Sequence, residues 1–256
     1  MNLFDLAVGR ATIERGEIYY NDQPHSLDAE LHDLQAQVTF SALTKRYDGS
    51  IGYHDGRVRY GTLSPLLHTL DAKFGATSGR LSITPVITLG GSRAELSAEV
   101  RNFDNPYISG KYEIVLHTQD FSKLSSTSAQ GDVRLRGGLE YQARDGRSGL
   151  MAVALNGDLA SAAMLVQSDG TKLAVNNLRG KYALNNGRLS AQDLAANLLG
   201  GEMMANLSVR QIDQPEEINL HADLKDISIH QLKNTSGNQG NLPLNGIVNG
   251  SVNAAS

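Results

Sequence analysis

Along most of its length the chain alternates apolar and polar residues with a period of two. Val133, Leu135, Leu139, Tyr141 and Ala143 alternate with Asp132, Arg134, Arg136, Glu140 and Gln142. That spacing predicts a strand with one dry face and one wet face, because successive side chains on a strand point to opposite sides. Ile218, Leu220, Ala222 and Leu224 alternate in the same way with Asn219, His221 and Asp223. Further strands are predicted at Ile13–Tyr20, Leu34–Phe40, Val58–Tyr60, Ala94–Val100, Lys111–His117, Met151–Leu155 and Leu173–Val175. Turns are expected at His54-Asp55-Gly56, Asp145-Gly146, Asp169-Gly170 and Asn186-Gly187, where the residue types tolerate positive φ. Most would join neighbouring strands as hairpins.

Two stretches also fit a helix. Leu27, Leu31, Leu34 and Val38 fall at i, i+4, i+7 and i+11, and Ala191–Leu199 is rich in helix formers behind a plausible cap at Ser190. A long-range repeat decides the second. Gly79-Arg80-Leu81-Ser82 returns as Gly187-Arg188-Leu189-Ser190, a shift of 187 − 79 = 108 positions. Leu70 and Lys73-Phe74 return in register as Leu178 and Lys181-Tyr182, whereas Leu89-Gly90-Gly91 returns as Leu199-Gly200-Gly201, two places late. Each copy runs on to a closing signature, Asp120-Phe121-Ser122 and then Asp226-Ile227-Ser228. Ala191–Leu199 therefore aligns with Ile83–Leu89, whose Ile, Thr, Val and Pro are poor helix residues, and strand is expected there. The repeat divides the chain into units at 1–125 and 126–232, with 233–256 as a linker and the start of a further repeat. Gln231–Leu242 reads as flexible linker.

Composition sharpens this picture. Of 256 residues, 40% are hydrophobic, yet there is no Trp and there are only 5 Phe, so aliphatic residues and 9 Tyr must fill the interior while 26 Gly supply turns. The expectation is a mainly β, elongated, strongly twisted and curled, mostly antiparallel sheet built from repeated strand units. With 23 basic and 27 acidic residues the net charge is −4, which gives no electrostatic footprint for nucleic acid or for an anionic membrane surface. The chain has no Cys, which excludes disulfides, thiolate metal sites and thiol nucleophiles. Its longest apolar run, near Leu150–Leu155, is far below the roughly 18–20 residues of a membrane-spanning helix, and the N-terminal residues have no signal-peptide pattern. Leu244–Val252 looks like the opening of another hairpin with nothing to pair against. An excised piece of a longer protein is therefore expected, with its anchor and address elsewhere.

Candidate chemistry is sparse. His25, His32, His54, His68, His117, His221 and His230 include no pair at i, i+4 with a neighbouring Glu, so no zinc-hydrolase pattern is present. Asp28, Glu30 and Asp33 lack the glycine and ligand spacing of a calcium loop, and read as an exposed strand face. Gly137-Gly138 and Gly200-Gly201 read as turns or bulges, since no Lys-Ser/Thr follows them. Arg134, Arg136, Arg144 and Arg147 form a modest basic concentration, read as a solvated face that could meet lipid phosphates. Strands and turn glycines repeat but no set of reactive side chains does, which points to a long surface and not to an active site. No enzyme activity, metal or cofactor is expected.

Phe4-Asp5-Leu6-Ala7-Val8-Gly9-Arg10, Ile13 through Asp22, Leu27 through Leu34, Tyr53 through Gly61, both Gly-Arg-Leu-Ser segments and Leu244–Val252 together resemble a repeat unit of the AsmA-like superfamily, especially TamB-like translocation and assembly module proteins. The resemblance covers nearly the whole chain through glycine spacing and alternation. It implies a bacterial envelope protein anchored in the inner membrane and reaching across the periplasm, with strands curled into a trough called a β-taco. It also implies phospholipid acyl chains as cargo and an outer-membrane barrel partner in protein assembly. The alternation supports lipid binding independently, because about 0.8 kcal/mol per buried CH₂ makes acyl tails adequate cover for a dry sheet face. Val133, Leu135, Leu139, Tyr141, Met151, Val153, Leu155, Ile218, Leu220 and Leu224 are expected to line that groove. Three alternatives stand beside it: a closed sandwich or barrel packed on itself, a scaffold that assists barrel proteins by strand augmentation, and a carbohydrate-active β-solenoid.

Overall fold

A computed structural model describes residues 9–22, 27–60, 65–122, 128–142, 149–168, 171–212, 217–235 and 245–255. Among them run fourteen strands: β1 (Arg10–Asp22), β2 (Leu27–Ser41), β3 (Arg46–Tyr60), β4 (Leu66–Thr77), β5 (Arg80–Leu89), β6 (Ser92–Arg101), β7 (Tyr107–His117), β8 (Ser128–Gln142), β9 (Val153–Ser168), β10 (Thr171–Asn185), β11 (Arg188–Leu198), β12 (Gly201–Arg210), β13 (Glu217–Ser228) and β14 (Ile247–Ala255). They form one sheet whose strand order is the chain order, with β1 and β14 as its edges. The sheet is mainly β, antiparallel and not closed, so the closed-barrel alternative falls. By its contacts the chain forms two units, 1–114 with 140–143, and 115–139 with 144–256. The division passes through β7 and β8.

Within each unit the alternation becomes rungs across the ladder, because residues opposite each other in an antiparallel pair share a face. In the first unit Ile13, Ala36, Ile51, Ala72 and Pro85 form one apolar rung from β1 to β5. Phe40, Tyr47, Ala76, Leu81 and Val100 form another from β2 to β6. In the second unit Leu155, Leu184, Leu189, Val209 and Ile218 run from β9 to β13. Gly157, Tyr182, Ala191, Leu207 and Leu220 lie beside them.

Bulges keep these faces apolar where the sequence breaks period two. Arg15, Asp33, Asn177, Asp193 and Asp226 sit inside strands with φ of 55°, 53°, 53°, 52° and 56°. A left-handed residue of this kind adds one position to its strand, so apolar residues three apart fall on one face. Leu31 and Leu34 are such a pair, as are Ala191 and Leu194, and Leu224 and Ile227. This spacing made Leu27–Val38 and Ala191–Leu199 resemble helices; Leu27–Val38 and Ala191–Leu198 are strand, and Leu199 opens the turn that follows. Asp and Asn tolerate the left-handed region better than most side chains.

The repeat is also structural. Ser82 Oγ donates to the Gly75 carbonyl at 3.1 Å, and Ser190 Oγ donates to the Ala183 carbonyl at 3.5 Å, both bonds displaced by 108 positions. Thr77 pairs with Arg80 around one turn and Asn185 with Arg188 around the other. The Asn186-Gly187 turn forms as expected, with both φ values positive. The next turns are enclosed by Leu89–Ser92 and Leu198–Gly201, a shift of 109, because the Asp193 bulge adds one residue. The second displaced position puts Leu199 at the first turn site, at φ 50°, where the first copy has Gly90 at φ 59°.

Several expectations are corrected. His54-Asp55-Gly56 is not a turn but the interior of β3, at a register irregularity between Tyr53 and Gly56. The glycines of β3 lie under large neighbours: a Cβ at Gly49 would come within 2.7 Å of the Phe74 ring, and one at Gly56 within 2.6 Å of His68 Nδ1. Hence β3 extends far beyond Val58–Tyr60. Met151 lies in a 3₁₀ turn at Gly149–Ala152, and strand begins only at Val153. Asp120 and Phe121 belong to another, Thr118–Phe121, whereas Asp226–Ser228 ends β13, so the closing signatures are not equivalent. Part of the expected linker is helical, in α1 (Ile229–Thr235). The segment expected to lack a pairing partner forms β14 against β13. Ala143, Asp145-Gly146, Asp169-Gly170 and residues 236–242 lie outside the described residues.

Candidate functional site

The apolar face is the first candidate. Val133, Leu135, Leu139 and Tyr141 are half-buried on β8 while Asp132, Arg134, Arg136 and Glu140 between them are exposed. Tyr141 belongs to the first unit and the other three to the second. Val153 and Leu155 are half-buried on β9, Leu220 and Leu224 on β13. Leu155 and Ile218 share one rung, Leu220 the next, and Leu224 stands between Met203 and Gly250. Met151 is 37% exposed and lies against Gly187, where a Cβ would meet its Sδ at 2.7 Å. Among the described residues no large side chain is completely buried.

What is buried is mostly small. Ala72 and Ala98 in the first unit, and Ala191, Ala196, Ala205 and Ala222 in the second, lie beneath larger neighbours on the same face. Side chains leaning over their own sheet are the cover that a single layer provides, and it is incomplete. Ile13 is 51% exposed, Ile18 46%, Ile87 43% and Ile218 37%, all on apolar rungs. The apolar residues of β1–β6 were not among those expected on this face, because Gly49, Gly52 and Gly56 interrupt the alternation that would have revealed Tyr47, Ile51 and Tyr53.

One polar pair interrupts this face in the first unit. Tyr53 Oη and His68 Nδ1 are 3.0 Å apart, with the rings edge-on at 5.4 Å between centroids. Burial pushes the Tyr53 phenol up. His68 Nε2 is buried and has no hydrogen-bond partner.

The opposite face is polar and, in the first unit, heavily paired. Arg59 donates to the Asp28 carboxylate across β2 and β3, and this bond holds the Asp28 carboxyl below its ordinary range. His32 lies 3.5 Å from Glu30, His54 lies 3.5 Å from Asp71, and Arg93 lies 2.9 Å from Glu95. Asp28, Glu30 and Asp33 do not converge: Asp28 faces Arg59, Glu30 faces His32, and Asp33 occupies a bulge. In the second unit amides predominate. His221 Nδ1 bonds Asn253 Oδ1 at 2.6 Å, and this bond, with the Asp223 charge, raises the His221 pKa. Arg134 and Arg136 are exposed on β8, and Arg144 and Arg147 lie outside the described residues.

Concavities lie on this polar face. One of about 610 Å³ spans β1–β5, and one of about 460 Å³ adjoins it. A third, about 440 Å³, lies over β11–β14 beside Asn206, Ser208 and His221. Among the described residues no group of three or more His, Asp or Glu is placed to hold a metal, and no helix is long and apolar enough to cross a membrane.

Together these features define a single-layer antiparallel β sheet whose apolar face lacks a covering layer within each unit. No protein-family model, curated protein or solved structure matches the chain.

Proposed function

We propose that the chain is a module of a bridge-like envelope protein, whose apolar sheet face binds or conducts phospholipid acyl chains between the inner and outer membranes. The observation that carries this reading is the half-covered apolar face, with Ile13, Ile18, Ile87 and Ile218 between 37% and 51% exposed on their rungs. Exposed methylenes of this kind gain about 0.8 kcal/mol each when covered, and an acyl chain covers them without requiring any particular polar residue. The resemblance to TamB-like repeats supports the same cargo and a working site in the periplasm. It supports an outer-membrane barrel protein as partner. The surface needs no catalytic group and no cofactor.

A photo-crosslinking amino acid at Leu135 or Leu220 in intact cells is expected to capture phospholipid, and one at Arg136 or His221 is not. Native mass spectrometry of the purified chain should show acyl lipid that Leu135→Asp and Leu220→Asp remove, since a carboxylate there must be desolvated by the passing chain. Equal labelling of both faces, or of neither, would count against the reading. A second reading, a scaffold for barrel assembly by strand augmentation, is favoured by β14: its nine residues are all exposed and carry no charge, and among the described residues it pairs with β13 alone.

A further inference from the structure

We propose that helix α1 is a built-in cover for the dry face of the second unit, lying where an acyl chain would otherwise lie and displaced when one binds. The helix joins β13 to β14 and lies against β13 and β10. Those two strands are not neighbours, because β11 and β12 stand between them, so α1 crosses over the end of both. Burial identifies the face it crosses. Val175 on β10 and Leu198 on β11 are each 7% exposed, Gly201 on β12 is buried, and Ile227 on β13 is 5% exposed. All lie on the apolar parity: Val175 pairs with Leu198, Leu198 with Gly201, and Ile227 follows Leu224 across the Asp226 bulge. On the polar parity of the same stretch Ala174, Asn176, Asn197, Glu202 and Lys225 are exposed. Along β13 the apolar face runs from Ile218, 37% exposed, through the half-buried Leu220 and Leu224 to Ile227. The cover that Ile218 lacks is supplied at Ile227 by α1.

The attachment of α1 suits release. Its 7 residues are too few to hold a helix in water alone, so α1 is helical only while docked. Its first turn is fixed locally: the Gln231 N–H donates to Ser228 Oγ at 3.3 Å, and the Ile229 N–H to the Gly246 carbonyl at 3.0 Å. The Gln231 amide lies over Gly200, where a Cβ would come within 2.9 Å of its Nε2. The β13–β14 ladder, from Asn219 with Ala255 to Ser228 with Ile247, does not include α1. The helix can therefore leave while β14 stays paired. An acyl chain laid over Val175, Leu198 and Ile227 restores the apolar cover that departs with the helix, and the two cannot occupy the face together. This inference rests on the lipid reading and adds to it that the dry face of the second unit is shut at one end until the cargo opens it.

The test is an NMR titration of the intact chain with palmitic acid, following the methyls of Leu135, Leu220 and Ile227 and the amides of α1. As palmitate fills the face, the α1 amides should move from helical to random-coil shifts with the same midpoint as the Ile227 methyls. Replacing residues 229–235 by a Gly-Ser stretch of equal length should tighten palmitate binding about tenfold, since the covered state no longer has to open first. Ser228→Ala, which removes the cap and leaves the strand ladder, should tighten it about threefold. The proposal is overturned if palmitate shifts the Leu220 methyls while the α1 amides stay helical, or if neither variant binds palmitate more tightly than the native chain. A chain in which neither Leu135 nor Leu220 responds, native or replaced, fails the lipid reading itself and this inference with it.

Discussion

In the first unit the polar face is held by ion pairs and the apolar face by rings; in the second, amides and alanines take their places. Arg59 reaches Asp28, Arg93 reaches Glu95 and Arg80 reaches Glu99 on one side of β2–β6, while the tilted rings of Phe40 and Tyr47 pack with centroids 4.7 Å apart on the other. In β9–β14 the corresponding work falls to Asn side chains. Asn206 Oδ1 accepts the Asp193 amide at 3.1 Å, Asn249 Oδ1 accepts the Asp226 amide at 2.6 Å, and Asn177 Nδ2 donates to Asn197 at 3.2 Å. Each of these bonds ties a bulge to the next strand. Exposed ion pairs stabilise little, whereas an amide that satisfies a backbone donor at a bulge preserves the irregularity that keeps the faces sorted. One repeat can thus be kept by two chemistries, provided that alternation and bulge geometry survive.

The largest expected effects test whether both units depend on close backbone approach. Gly49→Val in the first unit would drive a side chain into the Gln37 carbonyl and the Phe74 ring. Gly157→Val in the second would meet the Arg136 carbonyl and, at 3.0 Å, the Gly137 Cα. Each should cost about 3 kcal/mol, read as a lowered urea midpoint in circular dichroism. Should one be tolerated, the packing of the units differs more than their side chains suggest.

Smaller effects should separate the units. Asn206→Ala and Asn249→Ala should each cost about 1 kcal/mol through the lost bond to a bulge amide. Gln35→Ala in the first unit should cost almost nothing, since the Gln35 side chain bonds an exposed carboxylate, that of Asp33. Leu199→Gly should stabilise by about 1 kcal/mol, because a side chain in the left-handed region is strained there, and Gly90→Leu should reverse the sign. Paired melting curves would check both.

The smallest effects are opposite responses to pH. The Asp28 carboxyl lies below its ordinary 3.8 because Arg59 bonds it, so its contribution is present above that pH and lost as pH falls through the lower folded value. His221 lies above its ordinary 6.5 because Asn253 and then Asp223 favour the cation, so its contribution is present below 6.5 and lost as pH rises through the higher folded value. Amide exchange in β14 should therefore slow as pH is lowered from 8 to 6, after correction for the intrinsic rate. Exchange near Asp28 and Arg59 should be flat there and quicken below 4. Identical profiles would remove the distinction.

Much of the fold was legible in advance, because a strand's faces follow from period two. The dry parity of β8 and β13, the repeat at 108 and the Asn186-Gly187 turn needed only local chemistry. The apolar face was legible only in part, since six of the expected residues stand on β8 and β9 and three on β13, while the open apolar rungs of β1–β6 were unread. Alternation fails where a glycine replaces a large residue, and Gly49 and Gly56 resemble turn residues until Phe74 and His68 are seen lying over them.

What the residues determined by themselves is the sorting of side chains into a wet face and a dry one, since that depends only on each strand's own pleat. What the tertiary structure alone decided is where an extra residue is absorbed. At Asp33, Asp193 and Asp226 a left-handed backbone costs little, but its place in the strand is set by the register of the neighbour across the ladder. The concavity over β1–β5 belongs to the same category. It is lined by residues of five neighbouring strands, and no single strand carries the information to place it.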